Sequence, residues 1–329
     1  MASSGSYDFS LTSANLAAVV AENLGILAAG GTLASADLTT IQRRLNMVAK
    51  TLQGRSDGSP GLKIHTRQRV TLVLAKGQQS YLIGPASGDA RSSTALYRTT
   101  LSADEAALQT TLSITSNTDT TTYPGSTGTM TASDIVGIEL NDGTVHWSTI
   151  SGTPASTMDI ASGIASAASA GRYVYWFTSR AQRLVHVDSV TLRNKEYTET
   201  PLDVYTDVRQ YDLGVTDKYS DGTPTAVLIE PLRLNTRLTF NSQPIDVTDQ
   251  IIITGYYPAE DYDNASGTDD LAFPQEAFRY LGWEVTFELH PAYGVTWTPS
   301  MDMARKEARS MYFSLNPENV SASFQTGGY

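Results

Sequence analysis

Helical periodicity at both ends of the chain, with a long β-like stretch between them, is the feature that most limits the fold. Near the amino terminus, apolar residues recur at the three-and-four spacing of one helical face, with Thr12 or Ser13 as the N-cap. Gly30-Gly31 interrupts that pattern, and Ser35 can cap a second helix. The two stripes are Leu16, Val19, Val20, Leu24 and Leu27, then Leu38, Ile41, Leu45, Val48 and Leu52. This spacing predicts an αα-hairpin.

The carboxyl-terminal part of the chain has the same helical character. Pro274 suits the first turn of a third helix, and Pro291 ends it. Thr298-Pro299 offers the start of a fourth helix, which runs to Asn316-Pro317. The apolar stripes are Phe278, Leu281, Val285 and Leu289, then Ala304, Ala308, Met311 and Leu315. Two further helices are therefore predicted.

The middle of the chain alternates apolar and polar residues, as strands do. Residues 70–74 alternate, a turn follows at Lys76-Gly77, and the pattern resumes at 81–83, which predicts a hairpin. Asn141-Asp142-Gly143 lies between two β-prone runs, and Asp-Gly favours a type I′ hairpin turn. Residues 156–170 are small and fit either a short helix or a loop. A mostly antiparallel β region is expected.

These patterns together predict an α+β fold. We expect a helical bundle formed from both termini, with a large, mostly antiparallel β insertion that resembles a sandwich or a barrel. The predicted parts are residues 1–60 (helical), 61–91 (β hairpin), 92–175 (inserted β-rich domain), 176–270 (β-rich), 271–316 (helical) and 317–329 (extended tail).

The charge balance bears on the partners that the chain can have. Its 23 Lys and Arg against 34 Asp and Glu give a formal net charge of −11, which disfavours attraction to phosphate backbones and anionic membranes. Residues 1–76 hold eight basic and four acidic residues, net +4, and residues 77–329 carry net −15. The two regions either face different partners or differ by chance. The absence of cysteine fits folding in a reducing cytoplasm.

Residues that carry chemistry are scattered along this sequence. The four histidines are far apart, and the local signatures of acyl transfer, phosphoryl transfer and dinucleotide binding are absent. The acidic cluster of residues 260–270 invites a calcium site, but in an EF-hand register Ser266 replaces the required glycine and Ala272 the final acid. We therefore expect a solvated connector there, no cofactor, no metal and no enzymatic activity.

Aromatic residues leave one alternative open. Trp147 and Trp176 lie in the β region, and aromatic faces can stack on sugar rings. Trp147 follows the Asp-Gly turn and Trp176 lies within an apolar run, so packing in a β core is the favoured reading of both. A carbohydrate-binding role through Trp147 is the alternative.

The order of several short motifs resembles the head-to-tail adaptor proteins of short-tailed phages, also called tail accessory or head completion proteins. The similar residues are the first helix with its Gly30-Gly31 turn, Leu45-Asn46-Met47, Gly61-Leu62, and Tyr81-Leu82-Ile83-Gly84. Further matches are Pro201-Leu202 with Tyr205, Gly222-Thr223-Pro224, and residues 250–258. Residues from about 92 to 175 depart from the smaller members of that family as a β-rich insertion.

The resemblance implies a structural virion protein, assembled in the host cytoplasm. It implies a homo-oligomeric ring, typically a dodecamer, that binds the portal protein, meets tail nozzle, tube or fibre proteins and extends the channel for DNA ejection. Packaged DNA would pass along an acidic wall without sequence-specific binding, and no membrane partner is expected. The alternatives are another tail component, such as a nozzle or tube protein, and a carbohydrate-binding virion protein. The hypothetical interface residues are Arg43, Arg44, Lys50, Trp283, Arg305, Tyr312, Phe324 and Tyr329.

Overall fold

A computed structural model describes residues 9–54, 61–85, 92–119, 127–194, 198–218, 220–245, 249–263 and 266–315. Within these residues the fold is mixed α+β, with five α-helices and several antiparallel sheets but no closed barrel. The helices are α1 (Ser13–Asn23), α2 (Ser35–Gln53), α3 (Val208–Gly214), α4 (Gln275–Leu289) and α5 (Pro299–Leu315), with a 3₁₀ turn at Gly61–Thr66.

The chain divides into two compact units. The first, called unit 1 below, combines Met1–Thr66 with Pro258–Tyr329, and the second, unit 2, is Arg67–Tyr257. Unit 1 has nine basic and fifteen acidic residues, net −6, and unit 2 has fourteen and nineteen, net −5. The +4 and −15 division seen along the sequence therefore does not separate the units, because the two ends of the chain belong to the same one.

In unit 1, local sequence signals set the ends of the helices. Of the two predicted candidates, Thr12 is the N-cap of α1, and its hydroxyl accepts a hydrogen bond of 3.2 Å from the Asn15 amide. The Thr298 hydroxyl accepts a bond of 3.3 Å from the Met301 amide at the start of α5. Ser35 is the first residue of α2 rather than its cap, since the cap position is Ala34 and has no side-chain bond. These caps satisfy part of the unpaired amides at helix starts.

Helix α4 packs against α1, α2 and α5 in unit 1. Residues from both ends of the chain share one apolar core there, for example Leu16, Leu45 and Leu281. Two stripe predictions are wrong in detail, because Val19 is 40% exposed, and on α5 the core residue is Tyr312 rather than Met311. Stripe spacing identifies a helix reliably but leaves the edge of its buried face undetermined.

Unit 2 contains the described β structure. Its strands are β1 (Arg67–Val73), β2 (Ser80–Ile83), β3 (Ser92–Ser93), β4 (Tyr97–Thr100), β5 (Thr111–Ser113), β6 (Thr118–Asp119), β7 (Gly128–Thr129), β8 (Ile135–Glu139), β9 (Val145–Thr149), β10 (Thr157–Asp159), β11 (Tyr173–Phe177), β12 (His186–Arg193), β13 (Glu199–Pro201), β14 (Asp203–Tyr205), β15 (Ala226–Pro231), β16 (Thr236–Phe240) and β17 (Gln250–Tyr256). The larger sheets have the orders β13-β12-β17-β1-β3, β14-β15-β16-β2 and β4-β11-β8-β9. Their pairs are antiparallel, except that β14 and β15 are parallel.

The first two strands do not form the predicted hairpin. β1 pairs with β17 and β3, and β2 pairs with β16 in another sheet. Side chains of both sheets, such as Val70 and Ile83, bury against one core, so the turn at Lys76-Gly77 carries the chain from one sheet to the other. Alternation predicts that a segment is a strand, but it contains no information on which strand is its partner.

The Asn141-Asp142-Gly143 turn does join two paired strands, β8 and β9, as predicted. Its type differs from the prediction. Gly143 has φ +83°, Asp142 is not in the positive-φ region, and the Gly143 amide bonds to the Leu140 carbonyl at 3.2 Å. This is the three-residue loop in which a type I turn is followed by a left-handed glycine. The type I′ prediction is wrong because the loop is one residue longer.

Two further segments complete unit 2. Of the alternatives for residues 156–170, the helix is wrong, since the segment forms β10 and then bends and short bridges. Helix α3 was not predicted, although Asp207 caps it by accepting the Arg209 amide at 2.7 Å.

None of the helices described here is long and apolar enough to cross a membrane.

Candidate functional site

A groove beside α2 in unit 1 contains two of the predicted interface residues. Its volume is about 510 Å³, and it is lined by Thr39, Gln42, Arg43, Asn46, Met47, Lys50, Tyr262 and Asp263. Met47 is 56% exposed and, among the described residues, is the one large aliphatic side chain that lines the groove. Arg43 is also exposed and forms no ion pair or hydrogen bond with any residue that the structure describes. An exposed methionine beside an unpaired arginine is typical of protein interfaces.

The wall of this groove opposite α2 is held in place by specific bonds. Asn46 donates a hydrogen bond of 3.1 Å to the Tyr262 carbonyl and accepts one of 2.8 Å from the Tyr262 amide. Lys50 pairs with Asp261 at one end of the groove. Tyr262 is buried, and its hydroxyl accepts the Ala272 amide at 3.0 Å. These contacts fix the shape of the groove within the fold.

A second cavity of about 250 Å³ lies on the other side of Met47. It is lined by Arg44, Met47, Val48, Thr51, Leu52, Glu284, Glu288 and Arg305. Arg305 of α5 bonds both carboxylate oxygens of Glu284 at 3.0 and 2.7 Å, and it stacks 3.6 Å from the centre of the Phe287 ring. Arg44 lies 3.8 Å from Glu288. The predicted residues Arg44 and Arg305 therefore meet in this cavity, where Arg305 is already engaged within its own chain.

Two of the four aromatic residues that were predicted as interface residues, Trp283 and Tyr312, lie within the described part of the chain, and their environments differ. Trp283 is half-buried and packs edge-on against Trp297, with ring centres 6.4 Å apart. Tyr312 is 1% exposed, stacks on Tyr280 at 5.1 Å and bonds to His65 Nε2 at 2.9 Å. Burial raises the pKa of Tyr312 well above its usual value and lowers the pKa of His65.

An interface residue must reach the surface, so the structure places Tyr312 in the interior rather than at an interface. Phe324, Tyr329 and the predicted tail lie outside the described residues.

The acidic loop has a role that sequence reasoning missed. The Asp269 and Gly267 carbonyls accept the first amides of α1, from Ser13 at 2.8 Å and Ala14 at 3.0 Å. These two carbonyl oxygens thus satisfy amides that have no partner within the first turn of α1 itself. Among the residues that the structure describes, no cluster of three potential metal ligands occurs. The loop therefore caps a helix that is distant from it in sequence.

A further exposed apolar surface lies on α5. Met303 is 71% and Met311 50% exposed, and Glu307 lies between them. Residues four apart lie above one another on a helix, so these three form one stripe, called the α5 stripe below. Glu307 pairs with Arg279 of α4 at 3.0 Å, and both side chains are about half exposed. Met311 was predicted to be a core residue, so this surface was missed.

A shallow cleft in unit 2 surrounds Trp147. It measures about 270 Å³ and is lined by Ile135, Trp147, Ser148, Thr149, Ala161, Ser162 and Arg180. The Trp147 ring covers Gly137, where an added Cβ would lie 2.8 Å from the ring, and it lies 6.0 Å from the Phe177 ring. Trp176 is buried, as predicted. Trp147 is only half-buried, so it combines a packing role with a surface that lines the cleft.

Comparison with known proteins identified no family for this chain. No protein-family model matches the chain, and no curated protein matches it.

Proposed function

We propose that this chain is a structural subunit of a phage particle, a ring-forming head-to-tail adaptor that connects the portal to the tail and extends the DNA channel. The observation that carries the proposal is the pair of exposed apolar and charged helix surfaces on unit 1, the α2 groove and the α5 stripe. Exposed methionines with charged neighbours are what a subunit that docks by its helices presents.

The composition of unit 1 supports a common docking body. Helices from both ends of the chain bury side chains in one apolar core, and their packing is centred on α4. We propose that these four helices act as one bundle that makes contacts between subunits. Ring formation needs two complementary faces on each subunit, because a head-to-tail contact closes when its rotation divides a circle.

The motifs that carry the family resemblance lie at structured positions. Leu45-Asn46-Met47 is on α2, where Leu45 is buried, Asn46 holds the groove wall and Met47 is exposed. Residues 81–83 belong to β2 and residues 250–256 to β17. These positions support the adaptor proposal over a nozzle or tube protein, for which the sequence offers no comparable series of motifs.

Imaging of assemblies tests the adaptor proposal. Native mass spectrometry and negative-stain microscopy of the purified protein, alone and mixed with its cognate portal protein, should show rings or portal-bound rings. Monomer in both samples would contradict the proposal. Monomer in the first sample alone would still agree with it, since some subunits order only on binding.

The cleft at Trp147 favours carbohydrate binding as a second candidate function. An aromatic surface beside serine and threonine hydroxyls and an arginine suits a sugar ring and its hydroxyl groups. A glycan array tests this candidate, with Trp147→Phe to keep the cover over Gly137 and Ser162→Ala to remove a cleft hydroxyl. Binding that is lost in Ser162→Ala and retained in Trp147→Phe would support a sugar site. Absence of binding by the unaltered protein would reject it.

A further inference from the structure

The α2 groove and the α5 stripe lie on different sides of unit 1. Arg305 of α5 points toward α2, since it lines a cavity together with Arg44 and Met47. Glu307 and Met311 instead contact Arg279 of α4. Arg305 and Glu307 are two residues apart, which is about 200° around a helix. The α5 stripe therefore faces away from the second cavity, and none of its residues lines the α2 groove of its own chain.

The two surfaces match in chemistry. The groove presents exposed Met47 beside Arg43, a cation without an ion pair among the described residues. The stripe presents Met303 and Met311 on either side of the carboxylate of Glu307. Methionine side chains pack adaptably on one another, and Glu307 can exchange its exposed pair with Arg279 at little cost.

We propose that the α5 stripe of one copy docks in the α2 groove of the next copy, with Glu307 against Arg43 and Met303 or Met311 against Met47. The contact uses two different faces of the same unit, so it is head-to-tail and can repeat around a ring. This inference rests on the proposed function, because it identifies the contact between subunits of the proposed assembly. The occupant is a second copy because two features of the groove, exposed Met47 and Arg43 with no ion pair among the described residues, both have counterparts on this chain.

Disulfide trapping tests the pairing directly, because the chain has no cysteine of its own. The variant Met47→Cys/Met303→Cys, oxidised under the conditions in which assemblies form, should give a ladder of covalent oligomers on a non-reducing gel. A second variant, Met47→Cys/Met311→Cys, tests the alternative in which Met47 contacts Met311, two helical turns from Met303 along the stripe. A mixture of the single variants should give only a dimer with one chain of each kind. The matched control is Met47→Cys/Val19→Cys, since Val19 is an exposed apolar residue of α1.

Charge reversal provides a second test. Arg43→Glu and Glu307→Arg should each weaken self-association at least about tenfold, and the double variant should restore it. Lys306→Glu makes the same charge change as Arg43→Glu at a residue beside the stripe, and it should leave assembly unchanged.

The outcomes separate this inference from the proposed function. Rings that persist in both charge variants and give no ladder with either cysteine pair would overturn the pairing while the adaptor proposal stands. Cross-links from Met47→Cys to a portal chain would assign the groove to that partner and also overturn the pairing. Absence of assemblies of the unaltered protein, alone and with portal, would overturn both.

Discussion

Replacement of Arg305 by alanine removes one side of the ion pair that joins α4 and α5. Glu284 is 7% exposed and Arg305 is 22% exposed at the side chain, so the carboxylate has little access to water. The guanidinium forms two bonds with it, at 3.0 and 2.7 Å, and also stacks on Phe287. Loss of the arginine leaves Glu284 buried without its partner.

The expected cost follows from this burial. Removal of one partner of a buried pair costs roughly 3–5 kcal/mol, and the partial exposure of Arg305 places our expectation for Arg305→Ala near the lower limit, at about 3 kcal/mol. The same two helices carry a natural control, the half-exposed pair of Arg279 and Glu307. Arg279→Ala should cost less than about 1 kcal/mol, because solvent screens an exposed pair.

Urea denaturation followed by circular dichroism in the helical band measures both costs, and hydrogen exchange of α5 peptides shows whether the loss is local. The double variant Glu284→Leu/Arg305→Met should recover most of the stability, since two apolar side chains replace the pair without a buried charge. Equal costs for Arg305→Ala and Arg279→Ala would refute the argument, because they would mean that water reaches Glu284 as readily as Glu307.

Three other changes have defined outcomes. Gly267→Ala should lower the melting temperature and reduce the free energy of unfolding by roughly 1–3 kcal/mol, because Gly267 has φ +66° and an added Cβ would lie 2.6 Å from the Ala14 Cβ. An unchanged melting temperature would contradict the role of the loop as a cap of α1. Gly143→Ala should lower the free energy of unfolding by about 1–2 kcal/mol, and this cost comes from the left-handed backbone alone, because the nearest atom to the added Cβ is a flexible lysine side-chain carbon at 3.2 Å. An unchanged stability in calorimetry would contradict this expectation. Burial lowers the pKa of His65 below its ordinary 6.5, so the unfolded chain binds more protons than the folded one, and stability should fall as pH drops below about 6.5. His65→Gln should flatten this dependence when the free energy of unfolding is measured against pH. An identical slope in the variant would assign the dependence to other groups.

Local features of this chain were readable from its sequence because they depend on neighbouring residues. The four longer helices, the cap at Thr12 and the hairpin at Asn141-Asp142-Gly143 were predicted from periodicity and turn residues. Helix α3 has only seven residues, too few for a stripe to repeat, and its one signal is Asp207.

Features that depend on residues distant in sequence were not predictable in this way. The pairing of β1 with β17 rather than β2 depends on which strands meet over a core. The same is true of the candidate surfaces, since the sequence pointed to Arg43, Arg44 and Lys50 as interface residues but gave no such role to Met47 or the α5 stripe. Whether Met311 or Tyr312 faces inward was decided by the fit of one ring against Tyr280 and His65.

The sequence by itself thus determined where helices and strands occur, because backbone preferences and side-chain periodicity act over a few residues. Only the tertiary structure decided strand partners, the capping of α1 by a distant acidic loop, and which apolar side chains remain exposed. Those outcomes follow from tertiary packing, because the arrangement that buries the apolar side chains best as a group still leaves particular methionines at the surface.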